Sequence, residues 1–258
     1  MPSPKPVALS ISAPGLSLAH DGLKVAHLTD LHLGAITPKK RIGRAIDIAN
    51  RFEPDLVVMT GDYLCYDARG LALVREHLAG LRAPVFCVLG NHDHWVAAAS
   101  TRQVLEGMGY RVLQNQSETI VVRGAPLTVI GIDDLVTESQ DVERAFEGVA
   151  PEISRIVLAH VPRTVELLDG QPGALLLSGH THGGHVNLPF ITRRFMGREN
   201  RYLAGLFEVG DWRLYVSRGI GGASFPLRVN APAEVALLTL RSHDAQMEQD
   251  ARAVASNG

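Results

Sequence analysis

The sequence has little of what marks several protein classes. It holds two cysteines in 258 residues, Cys65 and Cys87. Two are too few for a secreted disulfide framework, and their spacing is not that of a metal site. Both read as buried or half-buried free thiols. Charge of one sign is nearly balanced by the other, leaving a net charge of −2, which excludes a general attraction to nucleic acid or anionic lipid. No apolar run approaches the ~20 residues that span a bilayer. Met1 to Pro6 lacks a long apolar segment and a twin arginine, so a cytoplasmic protein is expected. There is no internal repeat and no low-complexity segment. With 46% apolar and 20% charged residues, the chain can bury a core that needs no covalent staple.

What is present in excess is histidine. Seven of the eleven histidines fall in or beside five polar clusters, and each cluster ends an apolar run. They are Thr29-Asp30-Leu31-His32, Gly61-Asp62, Gly90-Asn91-His92-Asp93, His160, and Gly179-His180-Thr181-His182. Carboxylate, imidazole and amide oxygen are ligands for divalent cations such as manganese, iron and zinc. Period-two backbone would send Asp30 and His32 to one side, and likewise His180 and His182. Asp62 has two oxygens and can bridge. Seven ligands (Asp30, His32, Asp62, Asn91, His160, His180 and His182), one of them shared, fill two sites of four. Taken singly, each piece has a plainer reading: a loop, a strand-end turn, a helix cap or a structural histidine. The ordered set points to one pair of metal ions.

The spaces between clusters read as strands and helices in alternation. Strands are expected over 24–29, 56–59 and 84–89, and helices over 38–52, 69–81 and 97–108. Pro6 to Leu18 reads as a hairpin or edge strand. The second half is richer in strands: a hairpin around Gly124, then 156–159, 175–178, 203–209, 213–217 and 234–240, with short helices over 142–147 and 162–168. An α/β fold with its site at the carboxyl ends of the strands follows. A mixed sheet pair flanked by helices fits better than one doubly wound sheet. One domain over residues 1–241 and a frayed or disordered polar tail over 242–258 are expected.

These clusters resemble the calcineurin-like metallophosphoesterase superfamily, through Asp30, His32, Asp62, Asn91, His92, His160, His180 and His182. Thr29 to Gly34, Gly131 to Asp134, Leu158 to Pro162, Gly179 to Gly184 and Tyr215 to Gly221 are similar to a narrower bacterial group. That group holds small phosphodiesterases, cell-wall or lipid-associated members and UDP-2,3-diacylglucosamine hydrolases. The resemblance implies a four-layer α/β/β/α sandwich. It implies one metal on Asp30, His32, Asp62 and His182, and another on Asp62, Asn91, His160 and His180, with manganese favoured among manganese, iron and zinc. It further implies a phosphodiesterase or phosphatase in which a metal-bridging hydroxide attacks phosphorus in line and His92 is the general acid.

There are departures from the group's pattern. His185 stands where glutamine is usual, and Cys65 where related phosphatases often carry an aspartate supporting the catalytic histidine. Asp93 or Asp67 is left to orient His92. Around the site, His94, His185 and Arg218 are candidates for substrate contact, with exposed or loop-stabilising roles as the alternatives, and Arg228 is a weaker candidate. Asp133 and Asp134 are either supports for a ligand histidine or loop caps. The stretch 187–197 mixes Leu188, Phe190, Ile191, Phe195 and Met196 with Arg193 and Arg194. It reads as a loop over the second sheet's edge, or else as a contact with acyl chains or the inner membrane's surface. The substrate expected is a small or lipid-linked phosphoester. Alternatives are a UDP-2,3-diacylglucosamine-type pyrophosphate hydrolase, a nuclease, which the charge disfavours, and a non-catalytic metal-dependent scaffold. Oligomeric state is not legible.

Overall fold

The computed structural model describes residues 3–34, 36–188, 192, 196–222 and 227–242. Its strands are β1 (Lys5–Ala13), β2 (Leu23–Leu28), β3 (Leu56–Thr60), β4 (Val85–Val88), β5 (Arg111–Val112), β6 (Gln116–Val122), β7 (Ala125–Gly131), β8 (Ser154–Leu158), β9 (Leu175–Ser178), β10 (Gly205–Val209), β11 (Trp212–Val216) and β12 (Glu234–Ser242). They form two six-stranded sheets, ordered β1-β12-β2-β3-β4-β5 and β10-β11-β9-β8-β7-β6. Both are mixed. In the first, β12 runs antiparallel to β2 while β2 to β5 are parallel. In the second, β7, β8, β9 and β11 are parallel and β6 and β10 lie antiparallel at its edges.

The helices are α1 (Lys39–Arg51), α2 (Gly70–Leu78), α3 (Asn91–Glu106) and α4 (Val142–Phe146). Strand β3, Leu-Val-Val-Met-Thr, is buried at all five positions, because one face meets helices and the other meets the second sheet. Val57 and Met59 pack outward with Ile42, Ala45 and Val74 of the helices. Leu56 and Val58 pack inward with Leu127, Ile156 and Leu175 of the second sheet. The outer face of that sheet, with Val157, Leu176 and Trp212, meets Phe146 and Val165. Three apolar layers therefore separate four layers of secondary structure. Fully burying a leucine or valine such as Leu56 or Val157 contributes about 1.5–3 kcal/mol.

The sequence-based boundaries hold to within a few residues for most elements, and α3 differs. It starts at Asn91, six residues before the expected Ala97, and is kinked at Ala97, whose φ is −167°. The part after the kink is the expected helix. The turn before it forms because the Asp93 carboxylate reaches back to the Gly90 N–H at 3.0 Å, satisfying an otherwise orphaned donor. The expected segment over 162–168 is a 3-10 helix from Pro162 to Leu167. The tail over 243–258 lies outside the described residues, as does much of the 187–197 loop. Among the described residues no helix is long and apolar enough to cross a membrane.

Candidate metal centre

β2, β3 and β4 of one sheet, and β8 and β9 of the other, end on the same side of the sandwich. Their carboxyl ends deliver Asp30, Asp62, Asn91, His160 and His180 to one place, with His32 and His182 two residues further on. The strands do not continue into these residues. Asp30, His32, Asp62, His180, His182 and His185 have φ of +53°, +45°, +55°, +68°, +52° and +58°. Left-handed backbone is costly for residues other than glycine, and its concentration here is how the chain turns back on itself at each strand end. Period-two backbone does not place Asp30 and His32 together: β2 stops at Leu28, and turns bring the two side chains together.

Seven side chains converge. His32 Nε2 lies 3.0 Å from His182 Nε2, and His182 Nε2 lies 3.3 Å from Asp30 Oδ1. On the other side, His180 Nδ1 lies 3.0 Å from Asn91 Oδ1 and 3.3 Å from His160 Nε2. Between the groups stands Asp62, whose Oδ2 is 3.5 Å from His32 Nε2 and 3.3 Å from His160 Nε2. Asp30, His32 and His182 form one compact donor group, Asp30, Asp62 and His160 a second, and His32, Asp62 and His92 a third.

Backbone groups fix the carboxylates. The His180 N–H donates to both oxygens of Asp30 at 3.1 Å, and the His92 N–H donates to Asp62 Oδ1 at 3.0 Å. The glycines beside them leave no alternative. A Cβ on Gly179 would stand 2.2 Å from Asp30 Oδ2, and one on Gly90 would stand 2.3 Å from Asp62 Oδ1.

The donor set fits divalent cations. The His160 Nδ1–H donates to the Thr60 carbonyl at 2.7 Å, so its Nε2 carries a lone pair in the neutral ring. That lone pair faces the Asp62 carboxylate, and two acceptors so placed need positive charge between them. Electrostatics agree. Burial presses His160 towards neutrality, but Asp62, Asp30 and Asp134 override it and lift the ring to about 10. The pocket asks for a cation at that nitrogen, whether proton or metal. Burial lowers His32 to about 4 and His180 to about 3, and holds His182 well below its ordinary value, helped by His32 and Arg228. All three rings are held in the neutral form rather than as imidazolium, the charge state a ligand histidine needs. Burial also works against the Asp62 carboxylate, yet His160, His32 and His92 keep it far below the usual range. Asp30 is raised to about 6, chiefly by burial and then by Asp62, with His160 opposing.

His92 borders this group, a ring nitrogen lying close to the His32 and Asp62 donors. Its ring meets His32 edge-on at 4.7 Å, and its Nδ1 lies 2.7 Å from the Cys65 carbonyl oxygen. That carbonyl, not Asp93 or Asp67, orients the ring. The Asp93 carboxylate is fully used by the N–H groups of Asp62, Tyr63, Leu64 and Gly90 at 2.9–3.0 Å. Burial and the Asp62 charge push Asp93 up to about 7. Every one of its partners is nevertheless a donor, and only the ionised form satisfies them all. Asp67 is paired with exposed Arg69. The Cys65 side chain is a buried thiol, raised to about 11 by burial and Asp62.

The other candidates divide. His94 Nε2 bonds Asp133 Oδ1 at 2.7 Å, so Asp133 supports His94 and not a ligand histidine. Asp134 accepts from the Thr137 N–H at 2.7 Å and caps its own turn. His185 packs edge-on against His182 at 5.5 Å. Arg218 is not an open fork for phosphate: its guanidinium is paired with buried Glu234, which also accepts from Tyr215. Arg228, the weaker candidate in the sequence, touches the ligand group. It is pinned by the carbonyls of Gly221, Arg218 and Ala231, and its Nη2 donates to His182 Nδ1 at 2.9 Å.

A calcineurin-like phosphoesterase family model matches residues 23–184, a span that holds all seven converging side chains. The chain is 34% identical to phosphodiesterase YaeI of Escherichia coli K12, over 84% of this chain and 82% of YaeI. It is 30% identical to the metallophosphoesterase YkuE of Bacillus subtilis 168, over 86% and 80% of the two chains. It is 28% identical to UDP-2,3-diacylglucosamine pyrophosphatase LpxG of Chlamydia trachomatis, over 84% and 83%. With that match and that geometry, the chain belongs to the calcineurin-like metallophosphoesterases and is a phosphoester hydrolase.

Proposed function

We propose that this hydrolase is a phosphodiesterase working with two divalent cations on a small or lipid-linked phosphoester. The observation that carries the reading is the position of Asp62 Oδ2, 3.5 Å from His32 Nε2 and 3.3 Å from His160 Nε2. One carboxylate oxygen is thereby shared by two ligand groups. Asp30, His32, Asp62 and His182 would hold one cation, and Asp62, Asn91, His160 and His180 the other. When bound, the cations supply an activated water and positive charge for the phosphoryl oxygens. The nitrogen and oxygen donors, with the Cys65 sulfur kept as a thiol, suit manganese, iron or zinc, and manganese is the first to try.

The remaining chemistry belongs to the chain. His92 stands next to ligand Asn91, with Nδ1 committed to the Cys65 carbonyl. With both ring nitrogens protonated, its Nε2 would give a proton to the leaving oxygen and return to a lone pair, help worth about 10²–10⁴-fold in rate. His94, His185 and Arg218 are assigned to the rim. Arg218 is the weakest of them, because Glu234 already offsets its charge. The test is turnover of bis(p-nitrophenyl) phosphate by manganese-loaded protein. Hydrolysis that collapses in His92→Ala supports the reading, and hydrolysis indifferent to His92 removes its role.

The similarity to LpxG over 84% of the chain favours one second reading, cleavage of the pyrophosphate of a UDP-acyl-sugar at a membrane surface. Release of UMP from such a substrate, at a rate above that for simple diesters, would establish it. No release would leave the diesterase.

A further inference from the structure

Two large aromatic side chains stand in water beside His92. Tyr66 is 58% exposed and Trp95 is 62% exposed. Tyr66 comes from the loop that follows Asp62, and Trp95 from the first turns of α3. Their rings lie 6.0 Å and 5.2 Å from the His92 ring, tilted at 60° and 55°. The other tryptophan, Trp212, shows the ordinary disposition: it is 5% exposed and packed on Phe146. Leaving two rings wet forgoes burial that the fold obtains elsewhere.

We propose that Tyr66 and Trp95 form an aromatic subsite for the leaving group, selecting phosphoesters whose leaving group carries a flat ring, of which a nucleobase is the biological type. The proposal rests on the reading of His92 as proton donor. The His92 ring contacts His32 of the ligand group at 4.7 Å and also lies within 5.2–6.0 Å of both aromatics, so a group that leaves with its proton departs within reach of them. Polar groups follow Tyr66 and precede Trp95 in the chain. Asp67 and Arg69 form an exposed ion pair, and His94 is bonded to Asp133. An acyl chain would need a continuous apolar trough, whereas separate rings set among polar groups suit a flat ring bearing polar edges. Stacking of a base on an aromatic side chain tolerates any base, because each has a π-face.

The test uses the manganese-loaded full chain and two substrates with the same alkoxide leaving oxygen, methyl thymidin-5′-yl phosphate and its abasic deoxyribose counterpart. The wild type is expected to favour the nucleoside ester by about 10-fold in kcat/KM. Trp95→Ala and Tyr66→Ala should bring that ratio towards one, and Trp95→Phe should keep most of it. Metal content should be unchanged in all three, which separates a lost subsite from a damaged centre. A wild-type ratio near one, or a ratio that survives both alanine variants, overturns the proposal. A second readout needs no turnover. Thymidine 5′-monophosphate should quench the emission of the exposed tryptophan in wild type and not in Trp95→Ala. Quenching without hydrolysis of either ester would keep the subsite and sink the diesterase reading. Hydrolysis with neither preference nor quenching would do the reverse.

Discussion

His160 and His182 sit in opposite halves of the ligand cluster, and groups of opposite kind hold them from behind. The His160 Nδ1–H gives its proton to the Thr60 carbonyl at 2.7 Å. His182 Nδ1 instead receives the Arg228 guanidinium at 2.9 Å. In the first case the nitrogen facing the cluster is a lone pair by construction. In the second, a neutral ring that accepts from Arg228 carries its proton on the nitrogen facing Asp30, 3.3 Å away. A cation taken up there must displace that proton or shift Arg228, and it does so beside a fixed positive charge. The two halves differ in one ligand, Asp30 standing in one where Asn91 stands in the other, and they differ again in what stands behind the histidines.

Removing the group common to both halves should have the largest effect. Asp62→Asn is expected to bring turnover to background and to lower bound manganese, measured by elemental analysis. Undiminished turnover would contradict a shared carboxylate. His92→Ala leaves both halves intact, so kcat should fall by about 10²–10⁴-fold while metal content stays at the wild-type level. Arg228→Met acts on one half only. In a calorimetric titration of metal-free protein it should tighten the weaker binding step, because a fixed positive charge beside it is removed, and leave the stronger step in place.

The smallest effect concerns acid, and it sets a buried histidine outside the cluster against those within. Burial lowers His27 to about 3, where it bonds the Thr60 hydroxyl at 2.8 Å. A histidine depressed in the fold stays neutral there, while the unfolded chain takes up a proton below about 6.5. Its contribution to stability is whole above that pH and is lost as pH falls towards 3. The Tm of metal-free protein should decline between pH 6.5 and 4.5, less steeply in His27→Gln. An unchanged slope would remove His27 from the account.

Most of the cluster was legible in the sequence, because each ligand follows an apolar run that could only be a buried strand, and strands of one sheet end together. The way the ligands meet was not. Asp30 and His32 converge through left-handed turns, and periodicity carries no sign of those. The support of His92 is a backbone carbonyl, which every residue possesses, so the search for an aspartate in its place had nothing to find. Arg228 reaches His182 across 46 positions, and the insertion of β12 between β1 and β2 is a long-range pairing of the same kind. Exposure of Trp95 and Tyr66 beside His92 likewise depends on where α3 begins, six residues before its helical spacing becomes visible.

Anomalous diffraction from crystals of the manganese-loaded protein tests the central claim most directly. The account predicts two peaks, one enclosed by Asp30, His32, Asp62 and His182 and one by Asp62, Asn91, His160 and His180, with Asp62 touching both and the peak beside His182 the first to fade as manganese is diluted. A single peak, or two peaks with Asp62 bound to only one, would contradict it.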